Sequence, residues 1–236
     1  MRLHRFYLQE KIADRSNITI ESIDIVNQIG RVFRLKKTDK VIIFDGSGKD
    51  YECEIIDLNR NSVTLKVGEG NPSRFMSTRR VFLYQAIIKK DKFEWIAEKA
   101  TELGVTDIVP VLAERSEKKS LNEDRLRKIC IEASEQSGRG DVPSVGSIIN
   151  LSTFNFSKDC SGEVIVFHTE GDMFSFESNS ESESNKTLSI FTGPEGGWSP
   201  SEIDMFHNLK IPIYSLGKQV LRSETAAVVC LSKVLI

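Results

Sequence analysis

Two strand-loop-helix units stand close together in residues 189–226. In the first, the apolar run 188–192 precedes the glycine-rich loop 193–197, and in the second the apolar run 211–216 precedes Gly217. Short apolar runs that end at glycine are typical of buried strands. Because open α/β sheets bind ligands at the carboxyl ends of their strands, the two loops predict a ligand site lined largely by backbone groups.

Each loop is followed by a marked helix start. Ser199, Pro200 and Glu202 form a capping-box pattern with proline at the first helical position. Ser223 is predicted to cap a last helix over residues 225–236. A lone glycine turn more often connects a strand to a helix without any ligand. The charged and hydroxyl groups of the second loop favour the ligand interpretation.

The first third of the sequence is rich in strands and turns. Apolar alternation predicts strands at 41–44, 51–56 and 62–67, the first two joined as a hairpin, and a short helix at 22–28. This pattern predicts a small β-barrel or sandwich over residues 1–70.

After a linker at 71–78, strands alternate with helices, which predicts an α/β domain over residues 79–236 with a covered parallel sheet. The helix at 92–103 is predicted to open with a capping box formed by Asp91 and Glu94, and the next helix with Ser120 and Glu123. Gly104 and Gly138 are expected to end them. Further strands are predicted at 81–88, 109–112 and 163–168, and the serine-rich segment 171–186 is interpreted as a mobile surface loop.

Composition narrows the protein class. No apolar run approaches the length of a membrane helix and the N-terminal residues lack the apolar core of a signal peptide, so we expect a cytoplasmic protein without a membrane partner. The four cysteines and three histidines are scattered without ligand spacing, so no metal is expected.

The charge distribution indicates a polyanion-facing side. Residues 1–80 carry 15 Lys/Arg and 11 Asp/Glu, a balance of +4, whereas residues 81–236 carry 17 and 23, a balance of −6. The asymmetry is modest, and it favours the first third as the side that would face a polyanion.

Several motifs, taken in order along the chain, resemble the ribosomal small-subunit methyltransferase E family of the SPOUT class. They are His4-Arg5-Phe6, Asp45-Gly46-Ser47-Gly48, Lys99-Ala100-Thr101-Glu102-Leu103-Gly104-Val105, Glu135-Gln136-Ser137-Gly138-Arg139, Gly193-Pro194-Glu195-Gly196-Gly197, Leu216-Gly217 and Val220-Leu221-Arg222-Ser223-Glu224-Thr225-Ala226. Each motif alone is weak evidence for the family, whereas all of them in this order are specific to it.

The resemblance implies a fold and an activity. It implies a PUA-like RNA-binding β-barrel followed by a SPOUT α/β domain with a deep trefoil knot, whereas general folding rules predict an unknotted sheet. It also implies a homodimer that uses S-adenosylmethionine (SAM) to methylate N3 of a uridine in 16S ribosomal RNA, within the assembled small subunit. Two alternatives stay open: a non-catalytic RNA-binding assembly factor, and a methyltransferase for another RNA base.

The resemblance also implies site residues. Arg222 is the candidate for stabilising negative charge on the uracil, or else it pairs with Glu224 or Glu195. Glu224 would accept a proton or complement the helix dipole. The residues implied in cofactor binding are His168, Thr192, Gly193, Glu195, Gly196, Gly197, Leu216, Gly217, Val220, Leu221, Arg222, Thr225 and Ala226.

RNA contacts are expected from basic residues of the first third and from one motif after it. A run of charges is also typical of an ordinary solvated face. The candidates are Arg5, Arg31, Arg34, Lys36, Lys37, Gln136 and Arg139.

Overall fold

The structure is a computed structural model that describes residues 3–77, 79–175 and 187–236. Its chain divides into two compact units. The first contains the described residues up to Met76 together with Ser134–Val142, and the second contains Ser77–Ala133 and Pro143–Ile236. Residues 134–142, which the sequence-based division placed with 79–236, are thus grouped with the first unit.

The first unit is built on one five-stranded sheet in the order β1-β3-β4-β5-β2. The pair β1-β3 is parallel and the other pairs are antiparallel. The predicted hairpin and the predicted short helix are both present. The elements are β1 Arg5–Tyr7, β2 Asn17–Ile20, helix α1 Ile23–Asn27 with a π-helical turn Gln28–Val32, β3 Lys40–Phe44, β4 Lys49–Leu58 and β5 Val63–Pro72.

Alternation along β4 shows why this sheet has one buried face. Tyr51, Cys53 and Ile55 are buried, while Glu52 between them is exposed. A period of two places every second side chain on the same face of a strand. The buried face joins Val26 of α1 and residues of the other strands in one hydrophobic core.

The second unit is built on a parallel sheet, as predicted. Its strands follow the order β12-β10-β11-β6-β7-β8, with β9 pairing to β7. None of the helices in the described ranges is long and apolar enough to cross a membrane. The elements are β6 Val81–Ala86, α2 Lys90–Leu103, β7 Asp107–Leu112, α3 Glu123–Ser137, which continues into the first unit, β8 Ser144–Val145, β9 Ile149–Asn150, a 3-10 turn Leu151–Thr153, α4 Phe156–Asp159, β10 Glu163–Met173, β11 Leu188–Thr192, α5 Pro200–Asn208, β12 Ile213–Ser215 and α6 Ser223–Leu235.

Central strand β11 is buried along its whole length. Phe191 stacks on Tyr84 of β6 with ring centroids 4.3 Å apart and an interplanar angle of 6°. Strand β10 extends to Met173, so Gly171–Met173 belong to a strand and not to the predicted loop. The part of that loop at residues 176–186 lies outside the described residues.

The predicted helix starts differ in outcome. Ser199 accepts from the Glu202 amide and Glu202 reciprocates, so the predicted capping box is confirmed. The capping box of Asp91 was wrong, because α2 begins after Lys89 and Asp91 lies within its first turn. Ser120 was also the wrong cap, because the Asn122 side chain accepts from the Arg125 amide at the start of α3.

Helix α2 ends at Gly104, which has a φ of 104°. An L-residue is strained there, so we expect Gly104→Ala to lower the free energy of unfolding by about 1–3 kcal/mol. Gly146→Ala is the matched control, because Gly146 has no positive φ and its added Cβ would meet Val109 at 3.4 Å, an ordinary contact. The urea concentration at half-unfolding reports the stability of both variants. Equal midpoints for Gly104→Ala and Gly146→Ala would contradict the strain expected for an L-residue at position 104.

Candidate functional site

A cavity of about 670 Å³ opens at the carboxyl ends of β10, β11 and β12 in the second unit. This volume lies in the range of small-molecule sites. Both loops that the sequence singled out form its wall, together with the middle of β10. The lining residues are Lys92, Arg115, Phe167, His168, Thr169, Glu170, Thr192, Gly193, Pro194, Glu195, Gly196, Gly197, Trp198, Leu216, Gly217, Gln219, Val220, Leu221, Arg222, Ser223 and Ala226.

A bulge in β10 supplies one wall. Phe167 and Asp172 both pair with Tyr214 of β12, so the residues between them are extra to the ladder. Bulges re-aim side chains and are frequent next to functional sites. Here the bulge brings His168, Thr169 and Glu170 to the cavity.

Arg115, from the chain after β7, holds the glycine loop in shape. Its Nη1 donates to the carbonyl of Gly196 at 2.8 Å and to that of Trp198 at 3.3 Å. Gly197 has a φ of 67°, a left-handed conformation that favours glycine. Trp198 Nε1 donates to the carbonyl of Phe167 at 3.1 Å, which fixes the loop to β10.

Glu114 anchors the start of α5 behind this loop. Its carboxylate accepts from the hydroxyls of Ser199 at 2.6 Å and Ser201 at 2.9 Å. These hydrogen bonds, from Ser199 first, hold the pKa of Glu114 below its ordinary value. Glu202 Oε1 accepts from the Glu114 amide at 2.8 Å. Neighbouring residues 114 and 115 thus bind the helix start and the loop, respectively.

The start of α6 differs from the prediction. The helix begins at Ser223 and its N-cap position is Arg222, which provides no side-chain cap. Ser223 therefore does not cap the helix, because its hydroxyl donates instead to the Gly193 carbonyl at 2.5 Å. This bond ties the second loop directly to the first.

Arg222 is exposed and lines the cavity. Among the residues that the structure describes, its guanidinium has no hydrogen bond or ion pair, so the pairing with Glu224 or Glu195 weighed from the sequence is not present. Glu195 is likewise an exposed residue of the cavity wall.

Glu224 does not line the cavity and is paired with Lys92, whose Nζ lies 3.0 Å from Glu224 Oε1. Burial works to raise the pKa of Glu224, but its backbone amide, Lys92 and Arg222 outweigh burial and leave the pKa below the ordinary value. The carboxylate is therefore ionised at neutral pH.

A buried polar chain lies beneath the cavity. Thr192 Oγ1 donates to Gln85 Oε1 at 2.6 Å, and Gln85 Nε2 donates to Ala86 O at 2.9 Å and to Ser223 Oγ at 3.2 Å. Sequence reasoning missed Gln85, Lys92 and Arg115. Only Gln85 carried a signal, as a polar residue inside an apolar strand.

The predicted cofactor residues come together with one exception. All of them line the cavity except Thr225, which is exposed on α6. Within the described ranges, no cluster of His, Cys, Asp and Glu is suited to a metal ion.

The predicted RNA contacts divide into two groups, all in the first unit. Arg31, Arg34, Lys36, Lys37 and Gln136 are exposed.

Arg5 and Arg139 are buried, at 8% and 1% exposure. Arg5 pairs with Asp50, donates to the Arg139 carbonyl at 2.9 Å and lies over the Phe44 ring. Arg139 is held by Asp141 at 2.8 Å. Burial thus gives these two guanidinium groups internal partners and keeps them off the surface, where we expected RNA contacts.

The family models now identify the class. Residues 76–235 match an RNA methyltransferase domain and residues 24–68 match an RNA methyltransferase PUA domain. Fold and site therefore define an RNA methyltransferase with a PUA domain. Ribosomal RNA small subunit methyltransferase E of Rickettsia conorii is 31% identical over 235 residues, covering 99% of this chain and 96% of that protein. The chain belongs to the ribosomal RNA small subunit methyltransferase E family, which confirms the resemblance.

Further relatives agree with this assignment. The Bacillus subtilis member is 29% identical and covers 89% of this chain and 86% of its own. A Legionella pneumophila methyltransferase in complex with SAM superposes with a TM-score of 0.87 at 25% identity, covering 98% of this chain and 96% of that one. The Neisseria gonorrhoeae family member bound to SAM gives 0.84 at 26% identity, covering 98% and 95%.

His168 should be neutral at physiological pH. Burial lowers its pKa below 6.5, the Arg115 charge lowers it further, and Glu170 only partly opposes them. Its Nδ1 accepts from the Glu170 amide at 3.2 Å, so Nε2 carries the proton. We expect an NMR titration to show a pKa below 6.5 and the Nε2–H tautomer, and Arg115→Gln to raise that pKa.

Because the folded pKa is lower than the unfolded one, the contribution of His168 to stability is present above pH 6.5 and is lost as the pH falls through the folded pKa. The urea-unfolded chain serves as the reference. A folded pKa at or above that of the unfolded chain would contradict the burial of this imidazole.

Proposed function

We propose that this chain transfers a methyl group from SAM to N3 of one uridine in the 16S ribosomal RNA of the small subunit. The observation that carries the proposal is the cavity between the two signature loops, with the exposed side chain of Arg222 at its wall. The family assignment and the SAM-bound structural neighbours support methyl transfer from SAM to small-subunit ribosomal RNA.

The residues of the cavity fit SAM. Backbone groups of the glycine loop and of Leu216 and Leu221 can bind the adenine and ribose, since carbonyl and amide groups match their donors and acceptors. A Cβ added at Gly193 would lie 3.3 Å from the Trp198 ring, a tighter contact than most Cβ atoms make, so the loop packs closely against this ring. Glu170 and Glu195 provide carboxylates for a positively charged ligand.

When bound, SAM supplies the methyl group. The chain's own contribution begins with alignment, since fixing the uridine nitrogen in line with the donor supplies much of the acceleration in such reactions. As the uridine nitrogen gives up its proton to water, Arg222 would donate two hydrogen bonds to a uracil oxygen on which negative charge develops. Arginine suits this role because it stays protonated.

We propose that the first unit binds the RNA. Arg31, Arg34, Lys36 and Lys37 are exposed next to one another in sequence, and phosphates attract such cations. Gln136 is a further exposed candidate. With this role, we propose the functional division into residues 1–70 for RNA binding, a linker at 71–78, and residues 79–236 for SAM binding and dimerisation.

Four further proposals follow from the family assignment: the location, the oligomeric state, the form of the substrate and the topology of the second unit. We propose a cytoplasmic homodimer acting on the assembled small subunit. We also propose a trefoil knot in the second unit. Its support is the strand order, because β12 is at the sheet edge beyond β10 while the following helix α6 packs on α2 and β11.

The direct test is a tritium-transfer assay with labelled SAM and small ribosomal subunits from cells that lack the enzyme. Label recovered as 3-methyluridine in 16S RNA is the expected result. SAM binding without transfer would redirect the search to another RNA base. Absence of SAM binding would favour a non-catalytic assembly factor.

Arg222→Ala is expected to abolish transfer and to leave SAM affinity, measured by calorimetry, largely intact. Loss of such a charge-stabilising donor costs about 10²–10³-fold in rate. Arg222→Lys is the matched variant, because it keeps the charge and loses the paired hydrogen bonds, so it should recover only part of the activity. If SAM affinity falls with the rate, Arg222 builds the cofactor pocket instead.

Glu224→Gln is expected to keep most of the transfer rate, because the carboxylate faces Lys92 and not the cavity. Loss of a general base would cost about 10²–10⁴-fold. Since its folded pKa is lowered, the contribution of Glu224 to stability is present above pH 4.5 and is lost as the pH falls.

The stability of the Glu224→Gln variant should therefore depend less on pH in acid than that of the wild type. Glu98→Gln, which breaks the exposed pair with Lys99, is the control. A large fall in the methyl-transfer rate of Glu224→Gln would show that Glu224 accepts the proton from N3 of the uridine.

A further inference from the structure

Gln85 is fully buried near the carboxyl end of β6, directly beneath the two loops of the cavity. Its amide contacts three elements: the end of β11 through Thr192, its own strand through Ala86, and the start of α6 through Ser223. A polar side chain in a central parallel strand lowers stability unless its hydrogen bonds are made. Here both its oxygen and its nitrogen have partners.

The partners of Gln85 fix the orientation of its side-chain amide. The Ala86 carbonyl can only accept, so it fixes the amide nitrogen on its side and the amide oxygen towards Thr192. The nitrogen then donates to Ser223, and the Ser223 hydroxyl donates its own proton to the Gly193 carbonyl at 2.5 Å. A flipped amide would place two acceptors against each other at Ala86.

These hydrogen bonds connect the glycine loop with the start of α6, the two parts of the site that SAM binding and methyl transfer would both need. Gly193 begins the glycine loop, and Ser223 directly follows Arg222. The Ser223 hydroxyl accepts from Gln85 and donates its single proton to Gly193, so the two bonds together fix its position between β6 and the glycine loop.

We propose that Gln85 is a positioning residue that, through Ser223, sets the glycine loop for SAM and the start of α6 for the placement of Arg222. The inference rests on the proposed function, because it concerns SAM binding and methyl transfer. Gln85 touches neither substrate nor cofactor in this role.

The test compares SAM affinity, measured by calorimetry, with kcat at saturating SAM. Gln85→Met keeps the volume and removes the amide, and Ser223→Ala removes only the hydroxyl. We expect each to weaken SAM binding about tenfold, the effect of one lost hydrogen bond of ordinary strength. We also expect each to lower kcat at saturating SAM, because Arg222 is displaced.

Conservative and control variants separate positioning from general stability. Ser223→Thr keeps the hydroxyl and should keep wild-type affinity and kcat. Ser189→Ala removes another buried hydroxyl of β11, one that donates to Ser161 O at 2.9 Å away from the cavity, and should leave both quantities unchanged. If Gln85→Met fails to fold, SAM affinity and kcat of Ser223→Ala and Ser223→Thr still show whether the hydrogen bond from Ser223 to the glycine loop positions the site.

The double variant Gln85→Met with Ser223→Ala tests whether Gln85 affects SAM affinity and kcat through Ser223. If Gln85 acts through Ser223, the two losses are not additive and the double variant is little worse than either single one. Unchanged SAM affinity and kcat in Gln85→Met or Ser223→Ala, or fully additive losses, would overturn the inference. A wild-type chain that does not bind SAM would instead overturn the proposed function.

Discussion

The carbonyl groups of the glycine loop determine how the second unit is assembled around its cavity. Ser223 donates to Gly193, the Gly197 amide donates to Pro194, and Arg115 donates to Gly196 and Trp198. A loop at the end of a central strand cannot leave such groups unpaired without a loss of stability. Distant parts of the chain therefore meet at this loop. The shape of the site depends on these hydrogen-bond donors as well as on the glycines.

The sequence predicted the features that depend on neighbouring residues. The Ser199 capping box and the Gly104 helix end are local, so pattern alone was sufficient. The parallel sheet followed from the alternation of strands and helices. The family motifs predicted cofactor residues of which all but Thr225 line the cavity.

Long-range features escaped sequence reasoning. Gln85, Lys92 and Arg115 matter through partners far along the chain, and no spacing rule connects them. Asp91 showed a capping pattern, but the helix begins two residues earlier than that pattern requires. Arg5 looked like a surface cation because its partner Asp50 is 45 residues away. For Gln85, Lys92, Arg115 and Arg5, tertiary contacts that sequence periodicity does not report decided the outcome.

The Gln85 chain also bears on how the molecule folds. Gln85 and Ser223 are 138 residues apart in the sequence, and Gln85 and Thr192 are 107 apart. Contacts of such separation form slowly, because the entropy of closing the intervening chain is lost before the contact is gained. The hydrogen bonds of Gln85 are therefore complete only when β6, β11 and α6 are all in place. Until then the Gln85 amide lacks its full set of partners, so the shape of the cavity depends on elements from distant parts of the sequence.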